Sequence, residues 1–190
     1  NETASTSSGS RGSLVTIAGV KGKATENDNN IKDQLDAIAD KHPEKLAMLH
    51  LSKDHVERRF TFTDFKLESN RCANYFKSIG IKKGDRVMLI LKRHYQYWPA
   101  ILGLNKLGAI AIPATNQLKE HDITYRINAA GVKAILCTTD GDVANQVDLA
   151  AEKCPDLKIQ IAVGEEREGW RNYNEECKLF SSHYERGENA

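Results

Sequence analysis

Residues 86–91 read Arg-Val-Met-Leu-Ile-Leu, and this run decides how the chain folds. Five apolar residues in a row, without alternation, describe a short strand covered on both faces. Three similar runs follow: 109–112 (AIAI), 133–138 (KAILCT) and 158–163 (KIQIAV). The four centres, near Met88, Ala111, Ile135 and Gln160, lie 23, 24 and 25 residues apart. Each step has room for a strand, a helix and two short loops. That is the βαβ unit, so the predicted class is α/β: an open parallel sheet with helices on both faces. The equal steps come from the βαβ units, with no internal sequence repeat.

The segments between these runs read as helices. Residues 63–79 carry Phe65, Cys72, Phe76 and Ile79 on one side, with Thr63 as the predicted cap and Gly80 as the stop. Residues 95–107 are apolar nearly all round, which fits a buried helix. Residues 122–130 end at Gly131, and 143–154 end before Pro155. Upstream, Ile31, Leu35, Ile38 and Ala39 recur at helical spacing until Pro43. Strands over 46–51 and 58–62, joined by the polar 52–57, form a predicted hairpin ahead of the sheet. Residues 1–30 are rich in Ser, Thr, Gly and Asn and read as a polar tail or linker. Residues 31–180 form one α/β unit, and 181–190 a connection cut short. The charged stretch 164–190 is expected to complete no further strand.

Composition excludes several classes. Lys and Arg number 27 against 26 Asp and Glu, so the formal charge is +1. That balance gives no footprint for nucleic acid or an acidic membrane. No stretch approaches the ~20 apolar residues of a spanning helix, and no secretory pattern of basic and apolar segments is visible. The four cysteines, at 72, 137, 154 and 177, form no C-x-x-C pair. They read as reduced, mostly buried thiols, and the expected compartment is the cytoplasm.

In open α/β sheets, ligands bind beyond the carboxyl ends of the strands. Those ends are Lys92-Arg93-His94, Pro113-Ala114-Thr115-Asn116-Gln117, Thr139-Asp140 and Gly164-Glu165. The second group is uncharged and rich in hydrogen-bonding side chains. Arg93 has the planar fork that suits phosphate oxygens, although a solvated helix start explains it as simply. No G-x-G-x-x-G follows a strand, and H-E-x-x-H and G-x-S-x-G are absent. Gly22-Lys23 lacks the first glycine and the Ser/Thr of a P-loop. The six histidines are scattered, and no metal-ligand spacing appears.

Three pieces between Phe60 and Leu118 carry a family likeness. They are Thr61-Phe62-Thr63-Asp64-Phe65, then Gly84-Asp85-Arg86-Val87, then Leu107-Gly108-Ala109 with Ile112-Pro113. In this order and spacing the segment resembles the N-terminal part of the AMP-forming acyl-CoA synthetases. Asp122-Ile123-Thr124-Tyr125-Arg126, Cys154-Pro155-Asp156-Leu157-Lys158 and Gly169-Trp170 look most like the medium-chain branch. The likeness runs over about 31–180 and leaves 1–30 without a counterpart.

The resemblance implies a ligase that works on a carboxylic acid in two steps. ATP activates the acid to an acyl-adenylate, and coenzyme A then takes the acyl group. It implies ATP, Mg2+ and coenzyme A as the parent enzyme's cofactors. The phosphate loop, the adenine site and a mobile lysine would all lie downstream of these residues. Ser7-Ser8-Gly9-Ser10-Arg11-Gly12 has the composition of that loop but lacks the Pro-Lys that should follow. One position carries over: Gln117 matches the branch's coenzyme A contact, with Thr115 and Arg93 as weaker candidates. The expected partners are the downstream subdomains and the acid, with self-association through an uncovered apolar face. The chain is then a fragment of a larger fold, inactive by itself. The rival reading is a complete, non-catalytic binding module of flavodoxin-like shape.

Overall fold

The computed structural model describes residues 31–185. The tail, the Gly22-Lys23 stretch, the loop-like 7–12 segment and residues 186–190 lie outside the described residues. The chain starts with α1 (Ile31–Lys41), then the antiparallel hairpin β1 (Leu46–Leu51) and β2 (Glu57–Thr61). There follow α2 (Phe62–Ser78), β3 (Arg86–Ile90), α3 (Tyr97–Leu107), β4 (Ile110–Pro113) and α4 (Glu120–Ala130). The remainder is β5 (Val132–Thr138), α5 (Val143–Ala151), β6 (Ile159–Val163), β7 (Arg171–Asn172) and α6 (Tyr173–Cys177).

Five strands form one parallel sheet in the order β4-β3-β5-β6-β7. The chain leaves β3 for β4 on one side, then crosses back to β5 on the other. This is the doubly wound 2-1-3-4-5 arrangement, with its switch point between β3 and β5. Alternate side chains of the apolar runs feed two separate cores. Val87, Leu89, Ala134 and Leu136 pack with α2, α3 and α6. Met88, Ile90, Ile135 and Cys137 pack with α4 and α5. The expected class, with helices on both faces and a hairpin in front, is the observed one.

Several boundaries differ, each for a local reason. The cap of α2 is Thr61 in place of Thr63. Thr61 Oγ1 accepts the Asp64 amide at 3.1 Å, and Asp64 Oδ2 accepts the Thr61 amide at 2.8 Å. This reciprocal pair satisfies two orphan donors at once, so Phe62 belongs to the helix and not to β2. Thr63 instead donates its hydroxyl to the Pro43 carbonyl at 2.9 Å. α5 stops at Ala151, and Cys154 lies in the turn beyond, its amide bonded to the Ala151 carbonyl at 3.1 Å.

The charged stretch after Gly164 does build structure, contrary to expectation. Arg171–Asn172 pairs with Ile161 and Ala162, and α6 buries Tyr173 and Cys177 against α2. Only these two side chains, four residues apart, make the turn amphipathic. Gly108, with φ 79°, ends α3 in the left-handed conformation that glycine adopts without strain. Gly103 allows the close crossing of α3 over α2, since a Cβ there would stand 2.6 Å from the Cβ of Cys72.

Candidate functional site

The carboxyl ends of β3 and β5 meet at the switch point, where a doubly wound sheet offers its crevice. His94, just after β3, shares a 2.6 Å hydrogen bond between its Nε2 and the Thr138 hydroxyl at the end of β5. Thr138 is fully buried, and its oxygen also accepts the Asp140 amide at 3.1 Å. Burial holds the His94 imidazole below its usual pKa. Asp140 opposes that shift, while Lys53, His50 and Lys92 reinforce it. The ring is therefore neutral at pH 7. The Asp140 carboxyl is held below its usual range, chiefly by the hydrogen bond from Lys53.

The hairpin lies over this edge. Lys53, in the β1–β2 turn, pairs with Asp140 at 3.0 Å. His50 Nε2 donates to the Arg93 carbonyl at 2.9 Å. Phe60 stacks on Tyr95 with centroids 5.5 Å apart, and the Arg58 guanidinium sits 5.2 Å from the Tyr95 centroid. The sequence reading missed the contribution of Lys53 and His50. Their partners lie 87 and 43 residues away, and nothing local announces such a pairing.

The expected site residues fall in two loops. Thr115 and Gln117 share the loop after β4, where the Thr115 hydroxyl accepts the Gln117 amide N–H at 3.3 Å. That turn projects the Gln117 side chain into solvent, exposed and with no hydrogen bond among the described residues. Thr115 also lines a hollow of about 400 Å³ with Lys92, Trp98 and Pro113. Arg93 is exposed in the neighbouring loop and uses only its carbonyl; it does not line that hollow.

A larger hollow, about 810 Å³, opens between β2, α2 and α6. Size alone does not make it an anion site. Arg59 is paired with Glu57 at 2.7 Å and Arg71 with Glu68 at 3.4 Å; Lys178 is paired with Glu175. At the edge of β3 and β4 Lys92 and Arg93 are exposed, and Lys92 lies near enough to Asp140 to help hold that carboxyl below its usual range. Among the described residues no group of three His, Cys, Asp or Glu is placed to hold a metal. The edge can thus bind and orient a polar or anionic ligand.

Comparison with known proteins agrees with this reading of the fold. The family model described as AMP-binding enzyme matches residues 35–187. Acyl-coenzyme A synthetase ACSM3, mitochondrial, of Homo sapiens is 34% identical over 160 residues, which are 80% of this chain and 27% of that protein. Acyl-coenzyme A synthetase ACSM5, mitochondrial, of Rattus norvegicus is 34% identical over 128 residues, 66% of this chain and 22% of that protein. Among solved structures, the anthranilate CoA ligase AuaEII in complex with anthranoyl-AMP aligns with a TM-score of 0.69 at 21% identity. That alignment covers 80% of this chain and 29% of the ligase. Brucella canis acyl-CoA synthetase aligns at 0.67 and 22% identity, over 78% of this chain and 27% of that one. The solved structures share the fold. The chain spans only about a quarter of the length of the relatives it matches. A 2-1-3-4-5 sheet by itself also fits a flavodoxin-like module, but the family match covers about four fifths of the residues, so this chain belongs to the AMP-binding enzyme family.

Proposed function

We propose that this chain supplies the first α/β subdomain of a carboxylate–CoA ligase. Such an enzyme activates a carboxylic acid with ATP to an acyl-adenylate and passes the acyl group to coenzyme A. The observation that carries the reading is the family match over 35–187, supported by relatives that are acyl-coenzyme A synthetases. In this reading magnesium and the triphosphate would be held by parts of the enzyme outside the described residues. What this part contributes is binding and orientation along the β3–β4 edge. The Gln117 amide is exposed and uncommitted, and it can both donate to and accept from a pantetheine amide. Thr115 lines the hollow beside it, and Lys92 and Arg93 bring positive charge to the same edge, suited to phosphate oxygens.

The partners in this reading are the remaining subdomains of the enzyme and the acid substrate. Leu49, Leu51 and Val56 of the hairpin stand at least half exposed, a surface fit for covering by another part of the enzyme or by a second copy. Four free, buried thiols suit a reducing compartment. The cytoplasm is the compartment expected from cysteine usage, and the relatives named above are mitochondrial proteins.

The test separates the two half-reactions in the full-length enzyme. A neutral hydrogen bond is worth ~0.5–1.5 kcal/mol, so Gln117→Ala should weaken coenzyme A dependence by roughly 2- to 13-fold. Carboxylate-dependent pyrophosphate–ATP exchange should be unchanged. An equal loss in both assays would assign Gln117 to the loop's structure alone. The 190-residue chain by itself should show no exchange above a protein-free control.

A further inference from the structure

We propose that Cys72 and Cys177 form a modification site, a dithiol that closes to an intramolecular disulfide when a hydroperoxide reaches it through the hollow between β2, α2 and α6. The two residues are 105 apart in sequence, yet their sulfurs lie 3.7 Å apart. A disulfide holds its sulfurs at ~2.05 Å, so a closing movement of about 1.7 Å completes the bond.

The pair is asymmetric in a way that assigns roles. Cys72 is fully buried at the α2–α3 crossing, against Gly103, and its Sγ lies 2.6 Å from the Tyr173 hydroxyl. Cys177 is 4% exposed and lines the 810 Å³ hollow, together with Arg71 and Tyr173. Hydrogen bonding from Cys72 lowers the Cys177 thiol pKa, with Tyr173 and Arg71 acting the same way against burial and the Glu68 carboxylate. Burial raises that of Cys72. Cys177, which lines the hollow, is the attacking thiol, and Cys72, closed off behind it, the resolving one.

The chemistry balances in two steps. The Cys177 sulfur attacks the peroxide oxygen and the O–O bond breaks. Cys177 becomes a sulfenic acid, and water or an alcohol leaves with the thiol proton. The Cys72 sulfur then attacks the Cys177 sulfur; the S–S bond forms, the S–O bond breaks, and a second water departs. Two thiols are oxidised by two electrons, which the hydroperoxide accepts.

The bond would lock an attachment that is now held by hydrogen bonds. Tyr75 donates to Glu176 at 2.7 Å, and Arg71 donates to the Phe180 carbonyl at 2.7 Å. Asn74 donates to the carbonyls of Ser181 and His183, each at 2.8 Å. All four run from α2 to the segment around and beyond α6. The other two thiols are an internal control. Cys137 and Cys154 belong to the opposite core, and burial pushes the Cys137 thiol up to about 12.

The test is titration of the reduced chain with hydrogen peroxide, followed by alkylation and peptide mass mapping. The expected product is one cross-linked peptide pair, Cys72 with Cys177. It should lack two hydrogen masses and revert with dithiothreitol. The thermal midpoint should rise by roughly 5–15 °C on closing so long a loop. In Cys177→Ser, Cys72 should stay a thiol under the same peroxide. Three outcomes would overturn the proposal: Cys177 passing to sulfinic acid beside a reduced Cys72, disulfides only between chains, or cross-links to Cys137 or Cys154.

Discussion

The two faces of the sheet are built from alternate residues of the same strands, yet they bury different chemistry. The face under α4 and α5 is mainly aliphatic: Ile123, Ile127, Val132, Ile135, Val143 and Val147 fill it. The face under α2, α3 and α6 holds Tyr75, Phe76 and Tyr173 with Cys72 and Cys177. On its outer side Lys106 is fully buried, bonded at 2.8 Å to both Asp36 and Asn70. The aliphatic face closes mostly between neighbours in the chain order. The aromatic face joins segments about a hundred residues apart, as in Tyr75 with Glu176 and Cys72 with Tyr173. A buried polar atom without a partner is costly, so most polar groups on this face meet a specific one, Gln96 Oε1 being an exception. Apolar filling stabilises in proportion to volume, whereas polar pairing also selects which distant segments meet.

The largest expected effect is at Lys106. Lys106→Met removes one member of a buried pair, and such losses cost ~3–5 kcal/mol. Adding Asp36→Leu should cost less than the sum of the two single losses, because the two side chains share one hydrogen bond. Urea unfolding of both single variants and the double variant measures the coupling; strict additivity would erase the distinction between the faces.

On the aliphatic face Ile127→Ala should cost about 3 kcal/mol through the cavity it leaves. Ile127→Leu, which keeps the volume, should cost less than ~1.5 kcal/mol. Equal losses in the two variants would mean that shape there matters as much as pairing does opposite.

Tyr75→Phe deletes only a hydroxyl, and the ring still fills its place. The bond to a charged Glu176 is worth ~1.5–3 kcal/mol, so the loss should be about 2 kcal/mol. Hydrogen exchange should show the release of α6 first. A neutral result would reduce this face to packing like the other.

The smallest effect is pH dependence at the switch point. Folded His94 titrates below its usual 6.5, because burial and nearby cations disfavour the charged ring. The unfolded chain therefore binds the proton first, and stability rises with pH up to that usual value and falls on acidification below it. Folded Asp140 also titrates below its usual 3.8, so its contribution is present above that value and is lost as pH falls through the folded one. His94→Gln should flatten the upper part of the profile in pH-dependent denaturant unfolding. An unchanged slope there would remove His94 as its source.

Much of this was legible in the chain itself. The apolar runs near Met88 and Ile135 announced buried parallel strands, because burial on both faces favours an unbroken apolar run, whereas the run near Ala111 proves to be the edge strand β4, with Ile110 47% exposed. Gly108 and Gly131 marked helix ends, because each takes the left-handed conformation at little cost. The loop holding Thr115 and Gln117 was placed at a carboxyl end by that same strand reading, and the structure puts it beside a hollow. The cap of α2 was misplaced by two residues, since Thr61 and Thr63 both precede an apolar run and only the Asp64 carboxylate distinguishes them.

The sequence by itself determined four strands of the parallel sheet and its helical layers, because each rests on periodicity or on conformational preferences within a few residues. Only the tertiary structure decided the rest. It laid the hairpin over the switch point through Lys53 and His50, and made β7 and α6 from a charged stretch. It also brought the sulfur of Cys177 beside that of Cys72. Each of these is a contact between residues 43 to 105 apart, or depends on one. The energy that holds such a contact exists only once both partners are desolvated against each other, and no local pattern carries it.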